Sequence, residues 1–240
     1  CIAYLKEKGQ EWRNVKVYGQ EINQLTSAIG RMNLFLHGVK DFNIVNDDTL
    51  KNPAFVDKGQ LQTFDIVLAN PPYSISQWDR EAFASDKYGR NFLGVPPQGR
   101  ADYAFIQHIL KSMDTKTGRC AILLPHGVLS RNDEKFIREQ LIKHDLLEAV
   151  IGIGKNLFYN SPMEACVMVC RSKKAQSKKG RVLFINAKDE VTRKSSQSFL
   201  EDRHINFIAD CYVKYKDIER FSAVAITEDI ISKDYSLGIS

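Results

Sequence analysis

Cysteine is scarce in this chain and falls in no pairing pattern. Five cysteines (Cys1, Cys120, Cys166, Cys170 and Cys211) occur in 240 residues. The number is odd and no Cys-x-x-Cys occurs, which argues against a disulfide framework and for reduced thiols in a cytosolic setting. Cys166 and Cys170 share one strand-like run, and the five histidines (His37, His108, His126, His144, His204) show no ligand spacing with cysteine or carboxylate. No zinc site is expected, and the chemistry is expected to need no metal. Also missing are a Gly-x-Ser-x-Gly nucleophile elbow and a Gly-x-x-x-x-Gly-Lys phosphate loop, so acyl transfer through serine and P-loop nucleotide chemistry are disfavoured. No stretch approaches the ~20 uninterrupted apolar residues that span a bilayer, and no charged-then-apolar leader opens the chain, so no membrane partner is expected.

What is present is an ordinary globular composition. Apolar residues make up 43% of the chain, enough for one large core or two small ones. Lys and Arg number 34 against 29 Asp and Glu, a formal excess of +5. That mild basic balance is compatible with a polyanionic partner without requiring one.

Short β-rich runs alternate with amphipathic stretches, the pattern of an α/β fold with a mostly parallel, doubly wound sheet. Strands are predicted at Val15 to Glu21, Phe42 to Asn46, Phe64 to Asn70, Arg119 to Pro125, Leu146 to Ile153, Ala165 to Arg171 and Arg181 to Asn186. Several of these are apolar throughout, as strands covered on both faces should be. A helix is predicted over Gln24 to His37, where Leu25, Ala28, Ile29, Met32, Phe35 and Leu36 recur at three- and four-residue steps and Gly38 supplies a left-handed stop. Further helices are predicted from Asp102 to Met113 and from Asn132 or Asp133 to Lys143.

Two segments break the rhythm. Ser74 to Arg100 contains Gly89, Gly94, Pro96, Pro97 and Gly99, and is too long for an ordinary connection. Loops of this length are usually lids, binding loops or disordered, and a functional loop is favoured here because it begins at the Asn70–Tyr73 motif. The segment Arg171 to Arg181 is a basic turn between two strands, readable as a solvated hairpin tip or as a phosphate contact.

The chemistry concentrates in Asn70-Pro71-Pro72-Tyr73, directly after the strand that begins at Phe64. Ligands of open α/β sheets bind at the carboxyl ends of strands. Two prolines fix φ and lack amide hydrogens, holding a turn in which the Asn70 side-chain oxygen and the Pro71 carbonyl can face one small planar group. Such a pair accepts both hydrogens of an exocyclic amino group. Its nitrogen lone pair is thereby localised out of the ring plane, and it can attack a sulfonium methyl without a strong general base. Tyr73 would stack on the ring. The bland alternative is a strand-terminating turn, which the same residues would serve.

With these residues in place the chain resembles the adenine-N6 class of amino-methyltransferases, and specifically the modification subunit of type I restriction-modification systems. Tyr18-Gly-Gln-Glu-Ile-Asn23 followed by Met32-Asn-Leu-Phe-Leu-His-Gly38, Asn46-Asp-Asp-Thr-Leu50, Ala101-Asp-Tyr-Ala-Phe-Ile-Gln-His108, Leu124-Pro-His-Gly-Val-Leu-Ser-Arg131, Leu157-Phe-Tyr-Asn160 and the tail Thr227 to Ser240 are similar to that family's motifs in order. The likeness covers essentially the whole chain. It implies a Rossmann-like fold and S-adenosylmethionine as cofactor. It also implies double-stranded DNA as substrate, with specificity and restriction subunits as partners, two modification subunits per complex, and a bacterial or archaeal cytoplasm.

The resemblance also implies roles. Asn70, Pro71, Pro72 and Tyr73 would be catalytic. Glu21 would accept both ribose hydroxyls of the cofactor, its alternative being an exposed strand-end acid. Asp48, with Thr49 and Leu50 beside it, would receive the cofactor's adenine; the adjacent Asp47 could replace it. Asn70 would also face the cofactor. Phe158 would stack on the target base opposite Tyr73, because an adenine inside a duplex must be flipped out to react. Its alternative is a core phenylalanine.

One family feature has no counterpart: the Gly-rich acidic motif that follows the first strand and wraps the methionine end of the cofactor. Gly152-Ile-Gly154 lies too late in the chain to be it. Cys1 is not Met, and Ile2 to Gly9 reads like the end of a helix already under way. The sequence is therefore expected to lack its N-terminal part and to bind the cofactor weakly unaided. The expected organisation is a catalytic core over 1–172 and an extension of the same domain over 173–240. Protein-glutamine or RNA-adenine methylation, or a non-catalytic scaffold, are the competing readings.

Overall fold

The computed structural model describes residues 2–158, 162–195 and 197–239. Contacts within the chain cluster into two units, Cys1–Leu61 and Gln62–Ser240.

The first unit opens with helix α1 (Ile2–Glu7), then strand β1 (Val17–Gln20), helix α2 (Gln24–Leu36) and strand β2 (Phe42–Val45). It ends in a small antiparallel pair, β3 (Val56–Asp57) with β4 (Gln60–Leu61). β1 and β2 are parallel, in register from Val17 opposite Phe42 to Gln20 opposite Val45. Helix α2 starts where the Asn23 side chain accepts the Thr26 N–H, and it stops before Gly38, whose φ is +75°. The apolar stripe read from the sequence is there, but it is not buried: Leu25, Ile29, Met32, Phe35 and Leu36 are between 59% and 73% exposed. Two strands offer too little surface to cover a helix of 13 residues.

The second unit is built on six strands: β5 (Ile66–Ala69), β6 (Arg119–Pro125), β7 (Leu147–Ile153), β8 (Ala165–Arg171), β9 (Arg181–Ala187) and, past a β10–β11 hairpin (Thr192–Lys194 with Gln197–Phe199), β12 (Ser222–Ile226). Their order across the sheet is β12-β9-β7-β8-β6-β5. β5, β6, β7 and β9 point one way, with β8 and β12 running against them. Alternation sorts the side chains to two faces. Cys120, Ile122, Leu124, Val150, Cys166 and Met168 join residues of helices α4 (Asp102–Lys111), α5 (Lys135–Lys143) and α7 (Thr227–Ser232). Ala149, Ile151, Ile153, Leu183 and Ile185 face helix α6 (Asp202–Lys214) through Cys211 and Ile208. Every residue of β7 is buried, as a strand covered on both faces requires. β5 departs from that expectation. It is the sheet's edge, and Ile66 and Leu68 are exposed while Val67 and Ala69 pack inward.

Cys120, Cys166, Cys170 and Cys211 are free and buried. No helix among the described residues is long and apolar enough to cross a membrane.

Candidate active site

Because β5, β6 and β7 are parallel, their carboxyl ends lie along one edge of the sheet. That edge carries the turn after Ala69, the 3₁₀ turn His126–Leu129 and the loop beginning at Gly154. Pro71 is buried beneath the first turn, Asn70 and Pro72 are exposed, and Tyr73 is half-buried. An exposed amide on a buried proline presents its acceptor outward from a rigid base. Burial, with Cys166 and Asp102 near, pushes the Tyr73 hydroxyl above its ordinary pKa, so the ring stays neutral.

Ser74 to Arg100 does not float free. It contains a short helix, α3 (Arg80–Ala84), capped where the Asp79 side chain accepts the Ala82 N–H. Trp78 Nε1 donates to Gln98 O (2.8 Å) and Arg80 Nε to Pro96 O (2.8 Å), closing the loop on itself. Gln107 of α4 accepts from Leu93 N (2.7 Å) and donates to Gly94 O (2.8 Å), tying the loop to the helix. Beneath them Arg90 and Asp86 form a buried ion pair at 2.6 Å. Although burial opposes its charge, the hydrogen bonds from Arg90 hold the Asp86 carboxyl below its usual pKa. Burial, and Arg90 beside it, drop the His108 pKa to about 4.

Phe158 is half-buried and packs against the apolar cluster on the α6 face of the sheet. Its neighbours Tyr159 and Asn160, part of the motif-like run 157–160, lie outside the described residues. Elsewhere on this edge His126 Nε2 and Asn186 Oδ1 are buried without a partner, and Glu164 pairs with Lys155 and Lys188, each at 3.5 Å.

In the first unit Glu21 follows β1 and Asp47 and Asp48 follow β2, so parallel pairing puts all three carboxylates at one edge. Asn46 Nδ2 donates to Glu21 O (2.8 Å) and Ile22 O (2.9 Å), joining the two strand ends. Glu21 Oε1 accepts the Asn23 N–H at 2.7 Å, which fixes the carboxylate. Asp48 Oδ1 accepts from Leu50 N (2.9 Å) and Lys51 N (3.1 Å), while Asp47 Oδ1 accepts from Asp48 N (2.7 Å). Both acids therefore shape the turn that presents Thr49 and Leu50.

The basic turn lies at the other end of the sheet. Arg171 is opposite Arg119, six residues along β6 from the Pro125 edge, or about 20 Å at the strand rise. Three of the turn's six charges are answered internally. Buried Glu148 accepts from Arg171 Nε (2.6 Å), Lys178 Nζ (2.7 Å) and Tyr212 OH (3.1 Å), and Lys174 pairs with Asp145 at 2.6 Å. Lys173, Lys179 and Arg181 stay exposed, so half of the turn's six basic side chains face solvent, at the edge away from Asn70.

Sequence reasoning missed the partners of Ser74. Asp102 and Arg131 converge on it, although both stood in motif-like runs without a role, and Glu134 in turn accepts from Arg131.

The family model described as N-6 DNA Methylase matches residues 1–240. The chain belongs to the N-6 DNA methylase family. Among curated relatives, the type I restriction enzyme MjaVII methylase subunit of Methanocaldococcus jannaschii is 34% identical over 99% of this chain and 42% of its own length. The HindI methylase subunit of Haemophilus influenzae is 32% identical over 93% of this chain and 51% of its own. The crystal structure of the type I restriction-modification system methyltransferase subunit from Streptococcus thermophilus superposes with a TM-score of 0.89 at 33% identity, covering 99% of this chain and 50% of that one. The chain thus spans about half or less of these relatives, and its fold is the Rossmann-like fold of S-adenosylmethionine-dependent methyltransferases.

Proposed function

We propose that this chain is the catalytic segment of an adenine-N6 DNA methyltransferase, acting as modification subunit of a type I complex with a specificity subunit and, for cleavage, a restriction subunit. The observation that carries the reading is the Asn70–Tyr73 turn, seated on buried Pro71 at the carboxyl end of β5 in a member of the N-6 DNA methylase family. The names of the relatives, all type I restriction enzyme methylase subunits among those above, favour DNA over a protein glutamine or RNA.

The residues fit S-adenosylmethionine by the chemistry of their donor set. Glu21, oriented through Asn23, offers a carboxylate for the ribose hydroxyls, and the 47–50 turn offers Asp48 with Thr49 and Leu50 for the adenine. When bound, that cofactor supplies an electrophilic methyl group. Asn70 Oδ1 and the Pro71 carbonyl accept the two hydrogens of the target amino group and raise the availability of its nitrogen lone pair. Tyr73 covers one face of the flipped base and Phe158 the other.

The test uses the full-length protein with its specificity subunit, labelled cofactor and a plasmid free of adenine methylation. Label is expected in N6-methyladenine. Asn70→Ala is expected to lower transfer by about 10²–10³-fold with cofactor affinity largely kept. Label that appears in protein or RNA and never in DNA adenine would overturn the reading.

A further inference from the structure

Ser74, the residue after Tyr73, has φ +50°, a left-handed conformation that a residue with a Cβ adopts only at a cost. Something must hold it there. Asp102, only 1% exposed at the start of α4, does so twice: Oδ1 accepts the Ser74 N–H at 2.9 Å and Oδ2 accepts the Ser74 hydroxyl at 3.3 Å. Arg131 closes the ring. Its Nη1 donates to Asp102 Oδ2 (2.8 Å) and Glu134 Oε2 (3.3 Å), and its Nη2 donates to Ser74 Oγ (3.2 Å). One residue on, Ile75 O accepts the Ala101 N–H at 3.1 Å, so the chain leaving the turn is fastened to the same helix start.

Gly127 makes this possible. A Cβ there would stand 2.6 Å from Arg131 Nε and 2.8 Å from Nη2, so this edge of the guanidinium comes up to the 126–129 turn only because no side chain intervenes. A buried ion pair of this kind is a poor stabiliser, since desolvation offsets most of its attraction. Its geometric precision is the more telling property, and three elements (the turn after β5, the start of α4 and the turn after β6) are locked by it at one point.

We infer that Asp102 and Arg131, given room by Gly127, are positioning residues for the Asn-Pro-Pro-Tyr turn, holding Ser74 so that Asn70 and Tyr73 meet the target base in reactive geometry. The inference rests on the proposed function. Displacement of a reacting group by about 1 Å can cost 10²-fold in rate without loss of binding. That sets the expected signature.

The experiment measures single-turnover methyl transfer by the full-length complex on a duplex carrying the target adenine, alongside cofactor and DNA affinities. Asp102→Asn is expected to lower the rate about 10²-fold while both affinities stay within about threefold. Fluorescence of 2-aminopurine at the target position should still rise, because flipping is intact and only its alignment is lost. Arg131→Lys should retain more rate than Arg131→Ala, since it keeps the charge and loses the fork. Gly127→Ala, which removes no hydrogen-bonding group, should slow transfer in the same direction by pushing Arg131 aside. If Asp102→Asn does not fold, Gly127→Ala and Ser74→Ala carry the test. Wild-type rates in these variants, or affinities falling in step with rate, overturn the inference. A wild-type complex that puts no label into adenine removes the proposed function and this reading with it, whereas an active wild type with equally active variants removes this reading alone.

Discussion

The two units bury apolar surface very differently. In the described part of Cys1–Leu61 the buried residues are Ser27 and Val39, and five large apolar side chains of α2 face outward. In the second unit a whole strand, β7, is enclosed, and α4 buries seven of its ten residues. The residues proposed above for the cofactor and for the base divide along the same line. The carboxylates proposed for the cofactor, Glu21 and Asp48, sit on a unit with little core of its own, while the residues proposed for the base sit on a rigid one. Rigid support suits a group that must be aligned to within an ångström. Ligand binding adds the same free energy at a given concentration and affinity whatever the core, so on a unit with little core of its own it is a larger share of the total.

Core truncation should separate the units most sharply. Leu124, fully buried on β6 between sheet and helices, is expected to cost about 2–5 kcal/mol when changed to Ala, from lost transfer energy and a residual cavity. Urea denaturation monitored in the 240-residue chain reads this directly. A loss below about 1 kcal/mol would mean that the second unit is not the better-packed one.

The buried carboxyl of Glu134, which accepts from Arg131, gives a pH-dependent form of the same contrast. Burial pushes Glu134 up to about 7 from 4.5, against the pull of Arg131, with Asp102 and Asp133 adding to the rise. The folded chain then holds a proton that the unfolded chain has released, so this group's contribution to stability falls as pH rises from about 4.5 to 7. The whole effect is on the order of 3 kcal/mol. Glu134→Gln should flatten the decline across that window, measured as denaturation midpoints at pH 5 and pH 8. An unchanged slope would put the proton elsewhere.

On the first unit the expected effect is on binding. Glu21→Gln keeps the shape and an acceptor but loses the charge, and should weaken S-adenosylmethionine about tenfold by calorimetry in the full-length protein, with DNA affinity unmoved. Loss of DNA affinity instead would take Glu21 away from the cofactor.

Much of this arrangement was legible in the sequence, for reasons that also explain what was not. All seven predicted strands occur, most within two residues of their predicted ends, because runs such as Ala165–Arg171 and Leu147–Ile153 are unbroken and flanked by turn residues. β12 escaped notice: Ser222-Ala-Val-Ala-Ile226 is short and made of small residues, and only pairing with β9 makes it a strand. α3 hid inside a segment whose glycines and prolines read as irregular. The Asn70–Tyr73 turn was visible because its residues are contiguous. The ring around Ser74 was not, because Asp102 and Arg131 lie 28 and 57 residues away and meet it only through the sheet. The same holds for the basic turn, whose partner Glu148 is 23 residues before Arg171. The stripe on α2 was read correctly as apolar, but periodicity says which face is apolar and not whether anything lies against it.

That stripe supplies the smallest expected effect and the cleanest way to break the comparison. Phe35 is 71% exposed and Met32 59% exposed, and neither lines a cluster of buried residues. Phe35→Ser and Met32→Lys in the 240-residue chain should each change stability by no more than about 0.5 kcal/mol, the range of ordinary surface positions. They should also lower its tendency to associate, since exposed apolar patches drive self-association. Denaturation and light scattering would report both. A loss of 2 kcal/mol or more at either position would mean that α2 buries its face in solution. The first unit would then have a core of its own, and the division between a loosely supported cofactor side and a rigid base side would fall.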